Sequence, residues 1–379
     1  MADAVWSSSS RTGAIYRVMG VFMSNQKPSC GFFCKMLAAA LCTLAFCAHA
    51  QADDRPFQFG LVGDTGYTAA GVEGFQHLLA AINRADLAFV VHIGDFENDG
   101  RRYNPATGAM PCTDQNYRLV YDSFQSVRHP FILTPGDNDW TDCHFLKSPT
   151  FDPLDRLAKV RTMFFPEGKS LGQRAIDVES QAKDTHYTRF VENLRWSFGG
   201  VTFVTVHIVG SNDNFGRTPE MDDEYRERKA ANLAWIHSGF AIAKAKGSRG
   251  IVLLAQADPG FENYWPPAAK ARYLRSIPGA KLPDQPVPTA FEDYIRTLAE
   301  ELESFDKPVA FLHGDTHWFR IDQPLYSEKV NRPFENFTRV ETFGDPDTHW
   351  VRVTVDPADP QLFRFNPEIV PENVAVRKN

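Results

Sequence analysis

"HPFILTPGDNDW", residues 129–140, poses the question that decides the fold. Its first half is a short apolar run that reads as a buried strand. Its second half turns at Pro135-Gly136 and ends in Asp137, Asn138 and Asp139. Charge at the end of a buried strand is costly unless something pairs with it. A solvated turn would satisfy these groups, and so would a metal ion. The pattern recurs at "LVGDTGY" (61–67), "HIGDFEND" (92–99), "LLAQADPG" (253–260) and "LHGDTHWF" (312–319). Each is an apolar run that stops in oxygen or nitrogen ligands.

The segments between these runs alternate in character. "FQFGLVG" (57–63) and "LAFVVHIG" (87–94) predict strands. "GVEGFQHLLAAINRA" (71–85) puts Phe75, Leu78, Leu79 and Ile82 on one helical face. "YRLVYDSFQSV" (117–127) and "DPLDRLAKVRTMFF" (152–165) predict further helices, the second ended by Pro166. "LRWSFGGVTFVTVHIVG" (194–210) predicts two strands joined at Gly199-Gly200. Residues 221–247 predict a long helix, acidic at its start and basic at its end. After a Pro-rich loop (264–288), residues 290–305 predict another helix, and "FTRVETFG" (337–344) and "HWVRVTVD" (349–356) alternate as strands. Strand–helix–strand order implies parallel pairing. The expectation is a layered α/β sandwich with two facing mixed sheets flanked by helices, one domain over residues 51–379.

Residues 1–50 read as an N-terminal extension and export leader. Lys27 and Lys35 flank the apolar run from Met36 to Ala48, which is too short to span a bilayer. Cleavage is expected near Ala50, and Met23 is a plausible start. The protein is therefore expected to be periplasmic or secreted, without a stable membrane span. Four of the 6 cysteines lie in the leader, leaving Cys112 and Cys143 as one disulfide or two thiols. Hydrophobic content of 43% suffices for a packed core. The net charge of −7 argues against non-specific nucleic-acid binding.

In open α/β sheets, sites form beyond the carboxyl ends of strands. Asp64, Asp95, Asp137, Gln256 or Asp258, Asp315 and His317 are therefore candidates for convergence. Any single acid is explained as a cap or turn residue. Four Gly-Asp pairs after buried strands are harder to obtain that way. Crowded carboxylates repel, and divalent cations let them coexist.

The order GD, GD, GxxD, a later strand end, then GxxH resembles the calcineurin-like metallophosphoesterase superfamily over roughly residues 57–322. The resemblance implies two divalent cations and hydrolysis of a phosphorylated small molecule or ester by metal-activated water. Asp64 matches the first motif, and Asp95 matches the acid that bridges both metals. Asp139 matches the acid closing the third motif, and His317 the last histidine. Asn138, Asp139 and His317 are then the catalytic candidates; Asp64, Asp95, Asp137, Gln256, Asp315 and His317 are the metal ligands. The chain departs from the pattern where Gly66, Asn138, Gln256 and Asp315 replace histidines. Oxygen donors in place of imidazoles favour Mn, Mg or Ca over Zn or Fe. They also leave less positive charge to acidify water. A non-catalytic member that binds a phosphorylated or anionic ligand is the alternative.

Other residues have quieter readings. His92 and His313 precede their glycines as core or supporting groups, and His207 is ambiguous. His144, His313 and Asp139 are possible proton donors in place of Asn138. "SNDN" (211–214) lines the crevice or is a polar loop. Arg101 and Arg102 clamp phosphate or are solvated. No G-x-S-x-G elbow, complete P-loop or G-x-G-x-x-G after the first strand supports a rival chemistry.

Overall fold

The computed structural model describes residues 55–101, 110–276, 289–327 and 329–374. The proposed leader and Arg102 lie outside them. The strands are β1 (Phe57–Val62), β2 (Val90–His92), β3 (Phe131–Leu133), β4 (Glu179–Ser180), β5 (Leu194–Phe198), β6 (Val201–Thr205) and β7 (Gly250–Leu254). They continue with β8 (Val309–His313), β9 (Arg320–Asp322), β10 (Tyr326–Ser327), β11 (Arg332–Pro333), β12 (Phe337–Glu341), β13 (Trp350–Val355) and β14 (Phe363–Glu368). One sheet has the order β14-β13-β1-β2-β3 and the other β4-β5-β6-β7-β8-β12-β9, while β10 and β11 form a separate ribbon.

The first sheet is parallel from β1 out to its β3 edge and antiparallel on the other side, whereas the second has a parallel centre and antiparallel edges. β1, β2 and β3 run parallel, and so do β6, β7, β8 and β12. β13 and β14 flank the first sheet antiparallel, and β5 and β9 do the same in the second. The layered α/β sandwich read from the sequence is the observed architecture.

Alternation along the strands builds the layers. Phe59, Leu61, Val91, Val252, Leu254, Ala310 and Leu312 point between the sheets into one core. There Phe59 meets Phe203 edge-on with ring centroids 5.5 Å apart, and Phe89 meets Trp196 at the same distance. The intervening residues pack outward. Val62, Val90 and Leu133 pack among side chains of helices α1 (Ala69–Arg84), α2 (Asp114–Gln125) and α3 (Pro153–Phe164). On the other side, Ile251, Leu253, Val309 and Phe311 pack among those of helices Pro219–Ala245 and Glu292–Leu302. Thr68, Thr113 and Asp152 cap the three labelled helices by accepting from backbone N–H groups of their first turns. The β5–β6 hairpin turns at Gly199 and Gly200, both at positive φ.

Candidate metal centre

The strand ends expected to converge do so. Asp64 follows β1, Asp95 follows β2, Asp137 follows β3, Gln256 follows β7, and Asp315 and His317 follow β8. Asp64 accepts from the Asp315 amide at 3.1 Å, tying the ends of the two sheets together. Asp95 lies among the others: Oδ1 accepts from the Asn138 amide at 3.1 Å, and Oδ2 from Gln256 Nε2 at 3.2 Å and the Tyr67 hydroxyl at 3.1 Å. A methyl group on Gly210 would lie 2.7 Å from both Asp137 Oδ2 and Asp315 Oδ1, so these oxygens flank one point. A side chain on Gly136 would overlap Asp95, and one on Gly314 would overlap Asp64.

The unusual backbone falls on residues that follow glycines. The acids themselves take the left-handed backbone: φ is 52° at Asp64, 55° at Asp95, 83° at Asp315 and 65° at His317. Asp and His tolerate this region better than most residues. Gly63, Gly136 and Gly314 do not adopt it; they leave room for neighbouring groups.

Electrostatics oppose such crowding. Burial holds the Asp64 carboxyl well above its ordinary range, and the Asp315 charge pushes it further. Asp95 is raised by burial and then by Asp137 and Asp64. Asp315 is raised by burial and then by Asp137, while burial raises Asp137. Asp137 Oδ1 is buried without a hydrogen-bond partner. His317 Nδ1 donates to the Asp345 carbonyl at 2.6 Å, which leaves its Nε2 directed toward Asp64, 3.7 Å from Oδ1. A neutral imidazole oriented this way by a backbone carbonyl is the form that binds metals. Carboxylates crowded across a buried gap are what a divalent cation would neutralise. The gap is wide, since no three of these groups bring ligand atoms within 4.8 Å of one another. Among the described residues only Glu97, Cys112 and Cys143 do so. There the two sulfurs are joined as a disulfide, so neither is a thiolate.

The remaining candidates act as braces. Asp139 is fully buried and turns away from the pocket to accept from the amides of Gly136 at 2.7 Å, Phe96 at 2.9 Å and Asp95 at 3.1 Å. It welds the β2 turn to the β3 turn. Gln256 Nε2 donates to Asp95 and its Oε1 accepts from the Gly210 N–H at 2.6 Å, which settles the orientation of the side chain. Asp258 accepts from Arg320, and its amide donates to Asp315 at 3.0 Å. Asn138, 6% exposed, is tied to the site through its backbone amide, which donates to Asp95.

The histidines divide in the same way. His92 accepts from the Gly94 amide and contacts the Thr65 hydroxyl; burial lowers its pKa to about 3. His207 accepts from Trp140 Nε1 at 3.1 Å and donates to Glu192 at 2.8 Å, so both its nitrogens are used. His313 Nδ1 donates to the Gly314 carbonyl. His144 contacts Arg217 and the Thr141 carbonyl. Cys112 and Cys143 are bridged, connecting the segments that follow β2 and β3.

Sequence reasoning missed Tyr67, and it singled out "SNDN" without its conformation. Tyr67 reaches Asp95 from the β1 turn, signalled only by its place in "GDTGY". Ser211 to Asn214 form a left-handed turn, with φ between 50° and 67°, beside Asp137. Such a conformation costs about 1–2 kcal/mol per ordinary residue and less for Asn or Asp. Buried Arg228 and Tyr294 hold its Asp213, and Glu224 holds its Asn214.

No protein-family model and no curated protein matches the chain. Among solved structures, PhoD is similar with a TM-score of 0.46 and 11% identity, over 80% of this chain and 64% of that one. A 5'-nucleotidase from Candida albicans SC5314 gives 0.36 and 11%, over 82% of this chain and 50% of that one. The chain thus spans less than two thirds of either neighbour's length. At this degree of likeness the chemistry rests on the residues.

Proposed function

We propose that the chain is a metal-dependent phosphoester hydrolase, in keeping with its resemblance to calcineurin-like metallophosphoesterases. One observation carries the reading: four carboxylates and His317, drawn from both sheets, surround a pocket whose own partners leave their charge unneutralised. Asp64 and His317 would hold one cation, Asp137 and Asp315 a second, with Asp95 shared between them. Bound cations supply Lewis acidity toward a phosphoryl oxygen and lower the pKa of water. The chain's own groups orient the parts. Tyr67 and Gln256 aim Asp95 by hydrogen bonding. The Asn138 side chain can donate to a phosphoryl oxygen but has no proton to give a leaving group. Arg101, stacked 4.2 Å over the Phe145 ring, is paired with Asp99 at 2.7 Å, so its charge is largely spent within the segment after β2.

Asn138 also favours a second reading, a non-catalytic protein that holds a cation and an anionic ligand. Export is part of the proposal: residues 1–50 are its extension and leader, and residues 51–379 its domain. The Cys112–Cys143 bridge supports an oxidising compartment. Among the described residues no helix is long and apolar enough to cross a membrane.

The test is to purify the chain, measure bound metal, and assay a chromogenic phosphomonoester and diester with added Mn. Turnover that Asp95→Asn reduces by at least a hundredfold is expected. Tight metal binding without turnover of either ester would establish the second reading.

A further inference from the structure

Trp318 stands apart from the other tryptophans of the described residues. Trp140, Trp196, Trp235 and Trp350 are at most 6% exposed and Trp265 is part-buried, whereas Trp318 is 76% exposed. It directly follows His317. Its position is well anchored despite that exposure: the amides of Thr316 and Trp318 donate to the buried Glu341 at 2.9 and 3.4 Å. On one flank, the Tyr67 ring meets His317 edge-on at 5.2 Å. On the other, Phe319 stacks on Phe343 at 4.8 Å with the planes 10° apart. The indole is therefore an exposed ring on a braced segment, one residue beyond His317.

We propose that Trp318 is a stacking platform for the leaving group, and that the substrate class is phosphoesters whose leaving group carries an uncharged planar aromatic ring. This rests on the hydrolase reading above. A π-face takes another ring without regard to its hydrogen-bonding pattern, and base-on-aromatic stacking contributes appreciably to affinity. The nearby cations do not suit an anionic leaving group. Arg320 is paired with Asp258 and Glu341, and Arg339 with Asp322 and Glu262.

The test compares kcat/KM for 4-nitrophenyl phosphate and ethyl phosphate, and for the corresponding diesters, in the Mn-loaded parent, Trp318→Phe and Trp318→Ala. The ratio of aryl to alkyl efficiency cancels the intrinsic reactivity of each ester between variants. Trp318→Ala is expected to lower that ratio about tenfold, mainly through KM on the aryl ester, with Trp318→Phe restoring most of it. A ratio within twofold of the parent in Trp318→Ala overturns the platform and leaves the hydrolase reading standing. If the parent turns over neither ester class, the hydrolase reading itself fails and the platform with it.

Discussion

Asp139 separates a brace from a catalyst. Its position in "GDNDW" suggests chemistry, yet its two oxygens accept three backbone amides, all buried, from Gly136, Phe96 and Asp95. Asp139→Asn keeps one oxygen, which can serve the Gly136 and Asp95 amides. Its NH2 then confronts the Phe96 N–H. One charge-assisted hydrogen bond is lost, worth about 1.5–3 kcal/mol, and one buried donor is left alone at a cost of about 1–3 kcal/mol. The expected destabilisation is roughly 3–4 kcal/mol. Asp139→Ala abandons all three donors and should cost about 5 kcal/mol, reduced by any water that enters. Urea unfolding followed by tryptophan fluorescence, with metal content measured beside it, reads both effects. The two turns should loosen together, so metal affinity should fall in step with stability. An Asp139→Asn protein within about 1 kcal/mol of the parent, but with turnover abolished, would refute the brace and return Asp139 to the chemistry.

Other consequences are as direct. Gly210→Ala places a methyl group 2.7 Å from Asp137 Oδ2 and Asp315 Oδ1, so metal affinity should drop at least tenfold while the fold survives; calorimetric titration with Mn measures it. His92 is held neutral in the fold with a pKa near 3, against 6.5 in the unfolded chain. Below about pH 6.5 the unfolded state therefore binds a proton that the native state refuses, and stability falls as pH drops toward 3. From pH 7 to pH 5 this residue should account for about 2 kcal/mol, and His92→Gln should flatten that part of a urea-midpoint profile. Replacing Cys112 and Cys143 by serine opens a bridge with a sequence separation of 31 and should cost about 3–4 kcal/mol, seen as a lower thermal midpoint.

The parts legible in the sequence were those governed by short-range periodicity. The parallel strands announce themselves as apolar runs, and α1 by Phe75, Leu78, Leu79 and Ile82, all buried. The strands that escaped notice are short or irregular. β14 contains Pro367, which a central strand would reject and an edge strand accepts. β4, β10 and β11 have two residues each, too few for any period to show. At the site, sequence order could suggest that Asp64, Asp95, Asp137 and Asp315 meet. It could not show which oxygen faces the pocket, because Asp139 and Asp137 differ only in the direction the chain takes after Gly136. Nor could it show that "SNDN" coils left-handed, since that path depends on Arg228 and Tyr294, far along the chain.

The left-handed backbone at Asp64, Asp95 and Asp315 has a consequence for anyone who mutates them. Each position sets both the ligand and the path of the chain, so an alanine scan would report two losses as one. A β-branched replacement would redirect the turn before any question of chemistry arose. Asparagine, which shares aspartate's tolerance for this conformation and nearly its shape, changes charge alone. Differences between the Asn and Ala variants at each position would therefore measure how much of the centre is geometry and how much is electrostatics.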